Sequence, residues 1–425
     1  MFTMIVVNDF AGMEGLPHWM HHAATQEDML GFSDLVFPAF LFCVGLSIPF
    51  AIGARYNRGD NALGILGHIV WRSLALVVMG LFSMNMRGVE GGLSGPVFTL
   101  LAIAGFFLVW NERCPIRSGM TQKKASGMTQ KETSDITRQD MTGMTKEDMS
   151  TMSRDANERH DSGHDNTIRH ARLDRASILR TIGILLLAGL VVYKDLHGMP
   201  FRHGWWGILG LIGWAYLPCA LAYVALRGDF RKMWGFWLLT ELLCMLNAVE
   251  SIPADWSSRA LILGFWPGGW THPLICATGM MTSLHLIQCE SQPRKWLKSC
   301  LALVGSMLVL GLVCHRVWII SKNLATPTWA FFCLAISIAL FGLLHWVADI
   351  KGHTRWARPI SPAATATLTC YMMPSIWYAV QQLLGLHWPP VLYYGLPGLA
   401  KALVFSFIII GLTALFNKLH LKLKL

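Results

Sequence analysis

The sequence is poor in charge. Of its 425 residues, 14% are Asp, Glu, Lys or Arg, while 53% are hydrophobic and the mean hydropathy is +0.44. Soluble domains carry about 25% charged residues, so a water-solvated globule is excluded. The apolar runs are continuous, not alternating, which excludes a transmembrane β-barrel. Ten cysteines are present without any Cys-x-x-Cys spacing. Most, including Cys43, Cys219, Cys244, Cys276 and Cys333, fall inside apolar runs, where thiols serve as small packing residues and not as a disulfide or metal framework. A basic leader with a small-residue cleavage site is also missing, so no signal peptide is expected.

What the chain does contain is apolar span after apolar span, and 18 tryptophans of the kind that favour membrane interfaces. A spanning helix needs about 20 apolar residues. The runs predict an all-α, polytopic transmembrane bundle with about 11–12 spans, at 1–10, 32–54, 64–83, 96–110, 178–193, 207–226, 234–249, 273–288, 299–315, 328–347, 361–384 and 395–417. The first is too short to cross, so the chain is expected to start inside a helix. The segment divides into a transmembrane N-terminal part (1–110) with a polar loop at 11–34, a loop at 111–177, and a transmembrane C-terminal part (178–425). The 111–177 loop carries an octapeptide repeat, SGMTQKKA, SGMTQKET, SDITRQDM and TGMTKEDM, decaying into STMSRDAN. Polar and nearly free of aliphatic residues, it cannot bury a core and reads as disordered. His160, His164 and His170 in it read as a solvated tail, not a metal site.

The net charge of +10 sits in loops, a pattern of membrane topology and not of nucleic-acid binding. Strict alternation gathers Arg55, Arg58, Arg227, Arg231, Lys232, Arg294, Lys295, Lys298, Lys351, Arg355, Arg358, Lys418, Lys422 and Lys424 on one side. Arg87, Arg202, Arg259, Arg316 and Lys322 fall on the other. The first side is then cytoplasmic, and the 11–34 loop faces outward. A glycine-bearing face at 207–213 suits close helix packing, with a homodimer as one use of it.

Ionisable groups in or beside lipid are costly and are functional candidates by default. His18, His21 and His22 precede the second span. They read as a general base or acyl carrier, as zinc ligands, or as ordinary interface residues. Asp34 at the start of that span either offsets the helix dipole or orients a histidine, and both roles are compatible. Asn8 and Asp9 end the first helix. Arg72 lies within its span and needs a partner or an anionic ligand. Glu241 is the other deep charge, while His285 and His345 read as packing residues. Thr326–Pro327 marks a helix start preceded by Lys322 and Asn323, and "PGGWTHP" (267–273) is a glycine-rich approach to a helix that includes His272.

The blocks "VVNDF", "HHA", "SDLVFPAFLFCVGLSI", "WRSLALVVMG" and "SKNLATPTWAF" occur in this order. Together they resemble the heparan-α-glucosaminide N-acetyltransferase family, and more closely its bacterial branch labelled as a domain of unknown function. The resemblance covers roughly 1–110 and 178–425, with D-L-V-F-P its most specific element. It implies an integral membrane acyltransferase of a bacterial cytoplasmic membrane. Such an enzyme takes acetyl from cytosolic acetyl-CoA, with no metal, to an amino sugar or glycan acceptor outside. It implies His22 as acetyl carrier or base with His21 as rival, Asp34 as the acid of the D-L-V-F-P block, Arg72 toward acetyl-CoA, and Asn8, Asp9, Lys322 and Asn323 toward substrate. The sequence departs from the family in three places. The stretch from His22 to Asp34 is about two residues longer. The pair of spans around the repeat loop looks inserted. Leu211-Ile212-Gly213-Trp214 stands where a glutamine–arginine pair is expected. A small-solute transporter using Arg72 and Glu241, and a non-catalytic envelope scaffold docking through the repeat loop, remain the alternatives.

Overall fold

The computed structural model describes residues 1–89, 92–111, 163–249, 266–289 and 292–424, with side chains of the 163–176 stretch outside that description. Among the described residues there are thirteen α-helices and no strand. They are α1 (Phe2–Phe10), α2 (Phe32–Tyr56), α3 (Ala62–Met84), α4 (Gly95–Trp110), α5 (Gly163–Leu196), α6 (Gly207–Ala225), α7 (Phe230–Asn247), α8 (Thr271–Gln288), α9 (Pro293–Cys314), α10 (Pro327–His345, extended by a π turn Trp346–Ile350), α11 (Ser361–Thr365), α12 (Thr367–Leu383) and α13 (Gly395–Lys418). The expected all-α bundle is therefore observed. Most of the expected 111–177 loop, including the repeats and His160, lies outside the described residues, and α5 already begins at Gly163.

Among the described residues, seven helices are long and apolar enough to cross a membrane: α2, α3, the Ser177–Leu196 part of α5, α6, α9 from Arg294, α10 with its π turn, and α13. The protein is thus an integral membrane protein. The remaining expected spans are helical but shorter or more polar. For α4 and α12 the lengths are 16 and 17 residues. Helix α8 has little need of a lipid-facing apolar surface, because every residue from Thr271 to Leu284 is buried among its neighbours.

Local chemistry sets the helix starts. Asn61 accepts from Gly64 N, Asp229 from Lys232 N, and Thr326 from Trp329 N, with Pro327 at the first helical position. Prolines lie inside α2 (Pro38, Pro49), α6 (Pro218) and α12 (Pro374), each removing one backbone donor; the Asp34 carbonyl freed by Pro38 accepts from the Trp329 indole instead.

Glycines then set the helix spacing. A Cβ on Gly45 of α2 would run into the Cys276 carbonyl of α8, and one on Gly279 of α8 into the Phe42 carbonyl of α2. The two helices touch backbone to backbone, so α2 and α8 form the centre of the bundle. Gly80 of α3 and Gly207, Gly210 and Gly213 of α6 make the same kind of contact. The 207–213 face that suited a partner copy is therefore consumed inside the chain. Helices α9 and α5 sit outside, and α9 exposes Leu301, Val309, Leu312 and Val313 as a lipid-facing surface should.

Replacing Gly45 or Gly279 with Ala forces carbonyl backbone to move, and overpacking of this kind costs about 1–3 kcal/mol. Gly53→Ala, with open space around its Cβ, should leave stability unchanged or raise it by up to about 1 kcal/mol. Thermal unfolding in detergent of the three variants checks the contrast; equal losses at Gly45 and Gly53 would refute the backbone contact.

Candidate functional site

The loop between α1 and α2 folds back over the ends of α2 and α10. Gly31 is the last extended residue before α2, and a Cβ there would meet the His21 carbonyl. The glycine lets the loop lie directly on the helix start. Ser33 Oγ donates to the Met20 carbonyl, which fixes the same contact from the helix side.

Asp34 lies in the first turn of α2, with a side chain only 2% exposed. Its carboxylate is held from three directions. His22 Nδ1 is 2.6 Å from Oδ1, Ala23 N donates to Oδ2 at 3.0 Å, and Lys322 Nζ lies 3.7 Å from Oδ1. The Trp329 indole donates to the Asp34 carbonyl at 3.3 Å, tying α10 to the same turn. The first-turn position and the histidine contact coexist, as expected. The helix cap itself is Gly31, since Asp34 N donates to the Gly31 carbonyl.

A carboxylate 2.6 Å from Nδ1 makes that nitrogen the proton-bearing one, so the lone pair of neutral His22 sits on Nε2. The His22 side chain is 38% exposed, so Nε2 is available to a reactant. Lys322 Nζ approaches Nδ1 to 3.2 Å. Burial pushes its ammonium below the usual lysine range, against the opposing pull of the Asp34 carboxylate. His21 takes a different place. Its ring stands edge-on to Phe10, 6.5 Å between centroids, and it does not reach Asp34. The geometry thus brings together His22, Asp34 and Lys322.

The loop is latched to the α9–α10 connection. Asp28 accepts from Ile320 N and pairs with His315 Nε2, both at 2.8 Å; Ser321 Oγ donates to the Thr25 carbonyl and Asn323 Nδ2 to Thr25 Oγ1. The Ile320 amide, then His315, hold the Asp28 carboxyl below its ordinary range. Beside Lys322 opens a cleft of about 620 Å³, lined by Phe37, Trp205, Trp206, His272 and Asn323 among others. Thr25, Asp28, Trp329 and the tryptophans of the cleft were missed by sequence reasoning. The roles of Thr25, Asp28 and Trp329 depend on contacts across nearly 300 residues, which no local spacing encodes.

The other expected site residues lie elsewhere. Asn8 is exposed on α1. Asp9 is not in water: its carboxylate, 3% exposed, takes the Tyr378 hydroxyl and sits 3.1 Å from Lys401 Nζ, toward α12 and α13. Arg72 lies midway along α3, about 15 Å along the axis from its start, with its guanidinium over the Tyr216 ring at 4.9 Å. Arg72 Nε is buried and finds no partner among the described residues. Glu241 makes no ion pair among them. His285 and His345 do pack as expected, beside Cys289 and Asp349. No group of three or more His, Cys, Asp or Glu side chains among the described residues could hold a metal ion.

Fold and site define a class: a polytopic helical membrane protein with an imidazole–carboxylate pair at one mouth of its bundle. Comparison with known proteins narrows this. Residues 1–129, which include His22, Asp34 and Arg72, match the family described as Domain of unknown function (DUF5009). Over 90 residues the chain is 34% identical to heparan-alpha-glucosaminide N-acetyltransferase of Mus musculus and 32% identical to that of Homo sapiens. These stretches take in 21% of this chain and 14% and 13% of the two relatives, so the chain spans only a small part of their length. The family resemblance read from the sequence motifs is borne out.

Asp28→Asn should cost about 1 kcal/mol, the net worth of an exposed, charge-assisted pair of hydrogen bonds, and should speed proteolysis within 11–31. Because the folded Asp28 carboxyl titrates below its unfolded counterpart, its contribution is complete above the ordinary carboxyl range and is lost as pH falls through the lowered value. The difference between wild type and variant should hold constant from neutral to mildly acidic pH and close only in strong acid. A difference that closes near neutrality would refute the latch.

Proposed function

We propose that this protein is a membrane acyltransferase that moves an acetyl group from cytosolic acetyl-CoA to an amino sugar or glycan on the opposite side. His22 serves as acetyl carrier or general base. The observation that carries this reading is the His22–Asp34 pair: a buried carboxylate fixes the Nδ1–H tautomer of an exposed imidazole, beside Lys322, which lines an aromatic cleft. A nucleophile or base oriented by an acid is what acyl transfer to an amine or hydroxyl needs.

The named activity of the mouse and human relatives supports the acetyl donor. The Lys/Arg bias supports the direction. Helix ends opposite the dyad carry Arg55, Arg58, Arg227, Arg231, Lys232, Arg294, Lys295 and Lys298, while the dyad side carries Arg87, Arg202, Arg316 and Lys322. The dyad side is then the outside of a bacterial cytoplasmic membrane. Arg72, with an unused Nε donor beneath Tyr216, is the proposed contact for acetyl-CoA. Lys322 and Asn323, which line the cleft, are the proposed acceptor contacts; Asn8 and Asp9 shape the outer end of α1.

In transfer by the carrier route, Nε2 attacks the thioester carbon, the C–S bond breaks, and the thiolate leaves. Asp34 balances the positive charge then carried by the imidazole. In the base route, Nε2 instead takes the proton of the acceptor as it attacks acetyl-CoA directly.

Calorimetry with acetyl-CoA should show binding to wild-type protein that is weakened in Arg72→Ala. In a transfer assay with glucosamine, His22→Ala should abolish product. Asp34→Asn should cost about 10²- to 10⁴-fold, the range spanned by positioned acid–base groups, and His21→Ala should retain activity. Binding unchanged by Arg72→Ala would remove the donor assignment, and full activity without His22 would remove the catalytic one.

A further inference from the structure

We propose that His272 is a second catalytic histidine, the base that takes the proton of the acceptor. This leaves His22 free to carry the acetyl group, and it rests on the acyltransferase reading above. His272 stands at the start of α8, after a turn in which Gly268 and Gly269 both hold positive φ (+78° and +70°). The turn brings the Gly268 carbonyl 2.8 Å from His272 Nδ1. A carbonyl only accepts, so Nδ1 carries the proton and the lone pair of the neutral ring is on Nε2. No other described side chain bonds Nε2, although the residue is only 7% exposed.

The remaining exposure is toward the cleft. His272 lines the same cleft as Lys322, whose ammonium is 3.2 Å from His22. Its ring packs on Phe37 (5.6 Å), one turn of α2 beyond Asp34, and on Trp329 (6.4 Å), whose indole bonds the Asp34 carbonyl. His272 therefore faces the cleft, and Lys322 of the same wall reaches His22; one imidazole is exposed and tied to a carboxylate, the other buried and tied to a carbonyl. The difference in partner divides the labour. Asp34 can balance a positive charge on an acylated His22, while a neutral His272 is a hydrogen-bond acceptor suited to an amine or hydroxyl.

The step balances without further reagents. The acceptor nitrogen or oxygen forms a bond to the acetyl carbon. The bond from that carbon to His22 Nε2 breaks, its electron pair returning to the imidazole. The acceptor proton passes to His272 Nε2 and leaves through the mouth of the cleft.

The test separates this role from a purely structural one. In His272→Asn the side-chain amide can still donate to Gly268 but offers nothing at Nε2. The purified wild-type protein, mixed with acetyl-CoA alone, should release a stoichiometric burst of CoA, then turn over when glucosamine is added. His272→Asn should keep its melting temperature and its burst, while glucosamine-dependent turnover falls by about 100-fold or more. Should Asn fail to fold, His272→Gln, whose amide reaches the Nε2 position but cannot take up a proton, should lose turnover and keep the burst. Turnover in the folded variant equal to wild type would overturn the assignment to His272 alone. A wild-type protein that transfers acetyl without any burst would overturn the carrier route and this assignment with it. One that neither binds acetyl-CoA nor transfers would overturn the acyltransferase reading itself.

Discussion

A carboxylate withdrawn from water at the end of a membrane helix must be fully satisfied, and the satisfaction of Asp34 organises everything around it. Removing one partner from a buried ion pair costs about 3–5 kcal/mol, so each group that holds Asp34 is held in return. The Ala23 amide and the His22 ring can reach it only if the loop lies flat on the helix start, which Gly31 permits and Ser33 secures. Lys322 reaches it only if the α9–α10 connection docks against that loop, which Asp28, Thr25 and Ser321 secure. The exposed imidazole is thus positioned by a chain of local obligations, none of which involves a ligand.

The same logic operates deeper, through backbone and not charge. Because α2 and α8 meet glycine to carbonyl at Gly45 and Gly279, the residues just outside that contact are also forced together. Phe37 of α2 and His272 of α8 are such a pair, and Trp329 of α10 completes the wall. The cleft is therefore a consequence of where the glycines stop. Below them the backbones touch; above them, Phe37 and His272 meet side chain to side chain.

Much of this was legible in the sequence, for definite reasons. Apolar runs long enough to cross lipid predicted most helices to within a few residues, since in hydrocarbon a backbone has few alternatives; α5 starts 15 residues earlier, and the 361–384 span is two helices. Helices such as α7 and α9 began earlier than hydropathy suggested, because Phe230-Arg-Lys and Pro293-Arg-Lys make good first turns without being apolar. Of the candidate site, His22 and Asp34 were visible through the D-L-V-F-P block, and Lys322 through its place before a capped helix. Asp9 was legible only as the end of the first helix, without its partners. Its partners Tyr378 and Lys401 lie more than 360 residues away, and only the fold brings them together. His272 stood in plain view within "PGGWTHP", yet nothing in that stretch distinguishes a turn histidine from one that opens into a cleft.

The charge count of the cluster bears on the chemistry. With Lys322 protonated and Asp34 ionised, the site is neutral so long as His22 is neutral. An acetyl group on Nε2, with Nδ1 still protonated, would raise the net charge to +1 beside an ammonium that burial already disfavours. Asp34 alone would have to balance both cations. In the proposed carrier route an acylated His22 would be held less firmly than the neutral ring, which suits a transfer intermediate: differential stabilisation helps only where it does not also deepen the resting state. A site with a second carboxylate would hold the acylated histidine longer and deliver it more slowly. In the proposed carrier route, Lys322 would thus keep an acylated His22 reactive as well as anchor the acid.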